Sequence, residues 1–148
     1  MTLTVEWRNG NSVLPEHCLM LIAFPGVGNV GKAAIDAVNS VNEATQVARL
    51  YDTSLPPLAC LDEDGLLAPP HYTLSSIEST TGKTILTLTG STQPVDPNSQ
   101  GMLANEIMKF FMQQGVSELV VMAGLGSEPS RKETFIVASN SSHRIELE

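Results

Sequence analysis

The chain has 148 residues, 42% of them hydrophobic, and a formal net charge of −8 from 16 acidic and 8 basic residues. This length suits one domain with a real core, burying about 68–70% of its unfolded surface, and the apolar content excludes a disordered chain. The acidic balance argues against a nucleic-acid partner. With no run of about 18 apolar residues and no basic-then-apolar leader, neither a membrane partner nor secretion is expected, and the location implied is cytoplasmic.

Residues 2–7 alternate Leu3, Val5 and Trp7 against Thr4 and Glu6, the pattern of a half-exposed edge strand with Trp7 covering the core. Asn9-Gly10 is a turn signal. Residues 19–24 form a near-continuous apolar run, as in a parallel strand buried on both faces. Pro25-Gly26 ends the run. Ala33, Ala34, Ile35, Ala37, Val38 and Val41 then follow with helical spacing, which predicts a helix over about 29–42 capped by Asn29.

This strand–glycine–helix stretch carries two generic motifs. Gly26-x-Gly28-x-x-Gly31 matches the dinucleotide fingerprint, and Gly26-x-x-x-x-Gly31-Lys32 matches most of a P-loop. Glycines let the backbone approach a phosphate, a helix start favours an anion, and Lys32 adds positive charge. The P-loop match fails at Ala33, where a hydroxyl is needed to hold magnesium. The dinucleotide match retains an acidic residue, Asp52, at the end of the next predicted strand. Three readings stand: a tight turn that allows close helix packing, an anion site made by Gly26, Gly28, Gly31 and Lys32, or a dinucleotide site completed by Asp52.

Residues 45–52 read as a second buried strand, parallel to the first. Pro56-Pro57 stops it, and the apolar pieces at 58–61 and 66–68 flank Asp62-Glu63-Asp64-Gly65 as a small hairpin with Asp-Gly in its turn. An EF-hand ligand pattern is absent there. Strands follow at 71–78 and 84–89 around a Thr81-Gly82 turn. The loop 90–98 carries Ser91, Thr92 and Gln93 where open α/β sheets place ligands.

A helix over about 99–114 has Leu103, Ile107, Phe110 and Phe111 on one face, joined by Met102, Met108 and Met112. It is either a buried core helix or a partly exposed methionine-rich contact surface. Gly115 stops it, 116–123 reads as another buried strand, Gly124-Leu125-Gly126 turns, and 135–138 reads as one more strand. Cys18 and Cys60 lack metal or redox spacing and read as two buried thiols. His17, His71 and His143 are scattered, no nucleophile elbow is present, and neither a catalytic set, a metal nor a cofactor is expected.

Phe24-Pro25-Gly26-Val27-Gly28-Asn29-Val30-Gly31 is more specific than either generic motif. It resembles the F-P-G-x-G-x-V-G signature of the proteasome assembly chaperone family, the group of the second eukaryotic assembly chaperone and its archaeal and actinobacterial relatives. Leu55-Pro56-Pro57, then Asp64-Gly65 with Pro69-Pro70, then Gln93-Pro94, then Gly115-Val116 follow in the family's order. The resemblance covers roughly residues 19–140. It implies a three-layer α/β domain of Rossmann-like or nucleoside-phosphorylase-like kind, with a mainly parallel sheet, helices on both faces and a β-hairpin insertion. It further implies a non-enzymatic chaperone that binds proteasome α subunits; under that reading the apolar surface of the helix over about 99–114 predicts a homo-oligomer. The family's hydrophobic-Tyr-any tail is not matched by the final Ile145-Glu146-Leu147-Glu148, and the chain stops near the middle of the usual family length, as a short member or the N-terminal part of a longer one would. The alternative is a small-molecule or nucleotide binder using the turn at 26–32. A nucleoside-handling enzyme is a third reading, by fold analogy alone.

Overall fold

The structure, a computed structural model, describes residues 3–62 and 64–147. Strands β1 (Thr4–Trp7), β2 (Leu19–Ile22), β3 (Thr45–Tyr51), β6 (Tyr72–Glu78), β7 (Thr84–Gly90) and β8 (Leu119–Val121) form one sheet in the order β1-β3-β6-β7-β2-β8. Helix α1 (Val30–Val41) follows β2, α2 (Pro97–Gln113) follows β7, and α3 (Ser141–Leu147) ends the chain. Strands β4 (Cys60–Leu61) and β5 (Leu67–Ala68) make a separate two-stranded hairpin.

Connection length decides strand direction. The short link after β6 turns through Gly82 (φ 75°), so β6 and β7 can only pair antiparallel. The links through α1 and α2 are long enough for crossovers, and β2 lies parallel between β7 and β8. Four of the six strands therefore run the same way, including β3, which is parallel in direction to β2 as predicted. The pairing is nonetheless mixed. The parallel neighbours are confined to β7-β2-β8, whereas β1, β3, β6 and β7 pair antiparallel, because β6 is inserted between β3 and the strands parallel to it.

Register sets two unlike faces. Met20, Ile22, Ala48, Leu50, Leu74, Leu86 and Leu88 share one face, and α2 lays Leu103, Ile107 and Phe111 into the same cluster. Trp7 closes the edge of this core against Phe110, with ring centroids 6.2 Å apart. Asp96 caps α2 by accepting the Ser99 N–H at 2.8 Å, and Pro97 begins the helix two residues before the predicted start, where its missing N–H costs nothing. Gly115 (φ 84°) ends it. Helix α1 covers the other face around β7: Ile35 is buried there, and Thr87 Oγ1 donates to Asn39 Oδ1 at 2.8 Å. Helix, sheet and helix thus form the three expected layers.

Three expectations change, and one helix appears where none was expected. The predicted strand at 116–123 pairs only over Leu119–Val121. At 135–138 there is no strand; the segment pairs with no other strand of the sheet, and Val137 is 94% exposed. Ser141–Leu147 is helical where the polar sequence gave no apolar period. Cys18 is exposed and Cys60 half-buried, since the first stands before β2 at the sheet's end and the second on the small hairpin. The predicted N-terminal strand is found from Thr4; Thr2 lies outside the described residues, as do Glu63 of the acidic turn and Glu148 at the end.

Candidate functional site

The glycine turn sits at the carboxyl end of β2. Residues Val27–Asn29 make one tight 3-10 turn, with Gly28 at φ 63° and Asn29 at φ 53° before α1 begins. Asn29 stands at the cap position as predicted, but its side chain makes no capping bond; its backbone N–H donates to the Gly26 carbonyl at 3.0 Å. Gly31 faces the backbone after β8, and a Cβ there would collide with the Met122 carbonyl oxygen. Reciprocally, a Cβ on Gly124 would collide with the Val27 carbonyl oxygen. Gln93 Nε2 donates to the Pro25 carbonyl and closes a hollow of about 170 Å³ lined by Gly26, Gly31 and residues 121–124.

Lys32 is not in that hollow. Its Nζ donates to Asp36 Oδ2 at 2.6 Å and borders a different cleft. Gly26 and Gly31 are therefore brought together, Gly28 shapes the turn, and Lys32 is directed elsewhere. Asp52 is also remote from the turn in strand order, because β6 and β7 separate β3 from β2. Its carboxylate Oδ1 accepts the Ser54 N–H at 2.9 Å and the Ser54 hydroxyl, holding the chain where it leaves β3.

The second cleft, about 550 Å³, lies on the α1 face between α1 and the β4–β5 hairpin. Its floor is a ladder of hydroxyls. Thr73 stands opposite Thr89, and Ser75 opposite Thr87, across β6 and β7. Thr87 is bound by Asn39 beneath the helix. Thr89 is 8% exposed, and its Oγ1 has no hydrogen-bond partner among the described residues. Leaving such a group unpaired costs about 1–3 kcal/mol.

On the hairpin side, Arg49 NH2 donates to Asp62 Oδ2 at 3.2 Å, with both side chains only 6% exposed. Asp62 Oδ1 also accepts the Leu66 N–H at 2.8 Å and the Asp64 N–H at 3.1 Å. The Leu66 N–H is the main cause that holds this carboxyl below its ordinary range; burial opposes it, and Arg49 and the Asp64 N–H assist it. His71 Nδ1 lies 2.8 Å from the Pro69 carbonyl, which can only accept, so Nδ1 carries a proton and donates it there. Burial, then hydrogen bonding to Glu6, raises the Tyr51 hydroxyl, which donates to Glu6 Oε2 at 2.9 Å. Among the described residues, no group of three or more His, Cys, Asp or Glu side chains is placed to hold a metal, and no helix is long and apolar enough to cross a membrane.

The sequence reading missed this floor, although it contained a signal. A hairpin folded about the predicted Thr81-Gly82 turn pairs 73 with 89 and 75 with 87, all hydroxyl residues on one face.

Apolar surface concentrates elsewhere. On the hairpin, Cys60 pairs with Ala68 and Leu61 with Leu67, so alternation turns the first pair toward the protein and the second outward. Leu61 and Leu67 are 72% and 76% exposed, with Leu58 and Leu66 exposed beside them. On α2, Leu103, Ile107 and Phe111 are buried, as a core helix requires, while Met102 and Met112 are exposed.

Comparison with known proteins agrees with this architecture. The sequence profile of the PAC2 family matches residues 20–148. An uncharacterized protein of Methanocaldococcus jannaschii is 23% identical over 130 residues, covering 88% of this chain and 50% of that protein. Pyrococcus furiosus PbaB, described as an archaeal proteasome activator, superimposes with a TM-score of 0.68 at 20% identity, over 83% of this chain and 51% of that one. A PAC2 family protein of Streptomyces avermitilis gives 0.52 at 21% identity, over 70% and 48% of the two chains. The chain thus spans about half the length of the relatives it matches. Since the profile runs from β2 through the glycine turn and both large helices to the last residue, the chain belongs to the PAC2 family.

Proposed function

We propose that this chain is a proteasome-related chaperone that binds proteasome α subunits as a protein partner and performs no chemistry on them. The observation that carries the reading is the outward-facing leucine pair of the β4–β5 hairpin, presented by a base that the buried Arg49–Asp62 pair holds to the sheet. Exposed apolar clusters of this kind mark contact surfaces. Family membership and the likeness to an archaeal proteasome activator supply the class of partner.

Native mass spectrometry of the chain mixed with α subunits from its source organism tests the reading. A defined complex is expected, weakened in a Leu61→Ser, Leu67→Ser double variant. No complex, with α subunits that assemble normally by themselves, would reject it. Peptide hydrolysis by mature core particles, measured alongside, separates assembly from activation.

The glycine turn supports a second reading, as an anion site. With Lys32 paired to Asp36, the anion would be held by backbone N–H groups at the start of α1 and not by the lysine.

A further inference from the structure

We infer that the cleft between α1 and the β4–β5 hairpin is a binding site for a neutral, hydroxyl-bearing sugar ring, free or as part of a nucleoside. Its volume, about 550 Å³, falls in the range of small-molecule sites. The floor places the hydroxyls of Ser75 and Thr89 at the cleft, with Thr73 directly across from Thr89. Thr89 borders the cleft, and its buried Oγ1 has no hydrogen-bond partner among the described residues, so a ligand hydroxyl that reached it by a small shift of the wall would satisfy it without displacing a bond within the protein. Cys60 and Ala44 supply apolar wall for the carbon face of a ring, and the His71 imidazole adds a polar edge.

Charge selects against an anion. Among the described residues, the two carboxylates that line the cleft are each paired, Asp36 with Lys32 and Asp62 with Arg49, and Lys32 is already engaged. The paired groups leave neutral donors and acceptors to face a ligand, which is the chemistry of a polyol and not of a phosphate. A threonine hydroxyl buried here opposes stability, and valine would fill the same space. A ligand contact gives the hydroxyl a use.

The test is an amide-detected NMR titration of the labelled chain with D-ribose, D-glucose and uridine, and with inorganic phosphate as the charged comparison. Saturable shifts at residues 73, 75 and 89 are expected from at least one neutral probe, at millimolar affinity. Response to uridine but not to the free sugars would assign the nucleoside as the source of the ring. Thr89→Val is expected to fold, to melt at or above the wild-type temperature, and to bind about three- to tenfold more weakly, the loss expected for one hydrogen bond. Lys109→Ala, on α2 against the opposite sheet face, leaves the affinity unchanged. Absence of saturable shifts at the cleft, shifts that Thr89→Val does not weaken, or a response to phosphate alone would each overturn the inference.

Discussion

At the scale of single residues, the glycines separate into those that space demands and those that it does not. Gly31 and Gly124 each lie where a Cβ would strike a carbonyl oxygen of the other segment. Backbone cannot step aside as a side-chain tip does, so Gly31→Ala and Gly124→Ala are each expected to cost about 1–3 kcal/mol in urea unfolding. Gly101 lies inside α2 with nothing within 4 Å of its added Cβ, so Gly101→Ala is expected to stabilise by about 1 kcal/mol in the same assay. The motif at 26–31 announced a tight turn before the structure was known. It did not announce which backbone the glycines make room for, because Met122 is distant in sequence and only the β2–β8 pairing brings it there.

At the scale of elements, the hairpin and α2 depend on different forces. The hairpin is short and held largely by Asp62, whose folded pKa is lowered from 3.8. A lowered carboxyl stabilises the folded form above its unfolded value, and that contribution is lost as pH falls through the folded one. Acidification below 3.8 is therefore expected to shift the Leu66 amide toward its unfolded position before the sheet melts, and Asp62→Asn should remove this pH dependence. The Arg49 partnership was invisible in sequence, since an arginine inside an apolar strand reads as an outlier until the fold sets it against an acidic turn. Helix α2 depends on packing. Phe111 is fully buried beneath it, and Phe111→Ala is expected to cost about 3–5 kcal/mol by chemical denaturation. That helix was legible because its apolar spacing is long and regular. The C-terminal helix, with no buried residue, left no such pattern to read.

At the scale of the whole molecule, local patterns gave the strands and large helices, while neighbour order came from connections too long for periodicity to resolve. The insertion of β6 between β3 and β7 is the clearest case, and it also creates the hydroxyl floor. The exposed leucines make association with a partner or a second copy the expected behaviour. Sedimentation velocity should show the apparent mass rising with concentration, and Leu67→Glu should reduce the rise by adding a charge to a chain already at −8. The contact between Gly31 and Met122 has a further consequence during synthesis. The apolar β2 leaves the ribosome well before its first sheet partner β7, and the carbonyl against which Gly31 fits emerges roughly 90 residues after Gly31, about 5–20 s at common elongation rates. Until then the turn has nothing to close on, so the nascent chain carries its most characteristic segment unfinished, and that interval is when a cellular holdase would find β2 open.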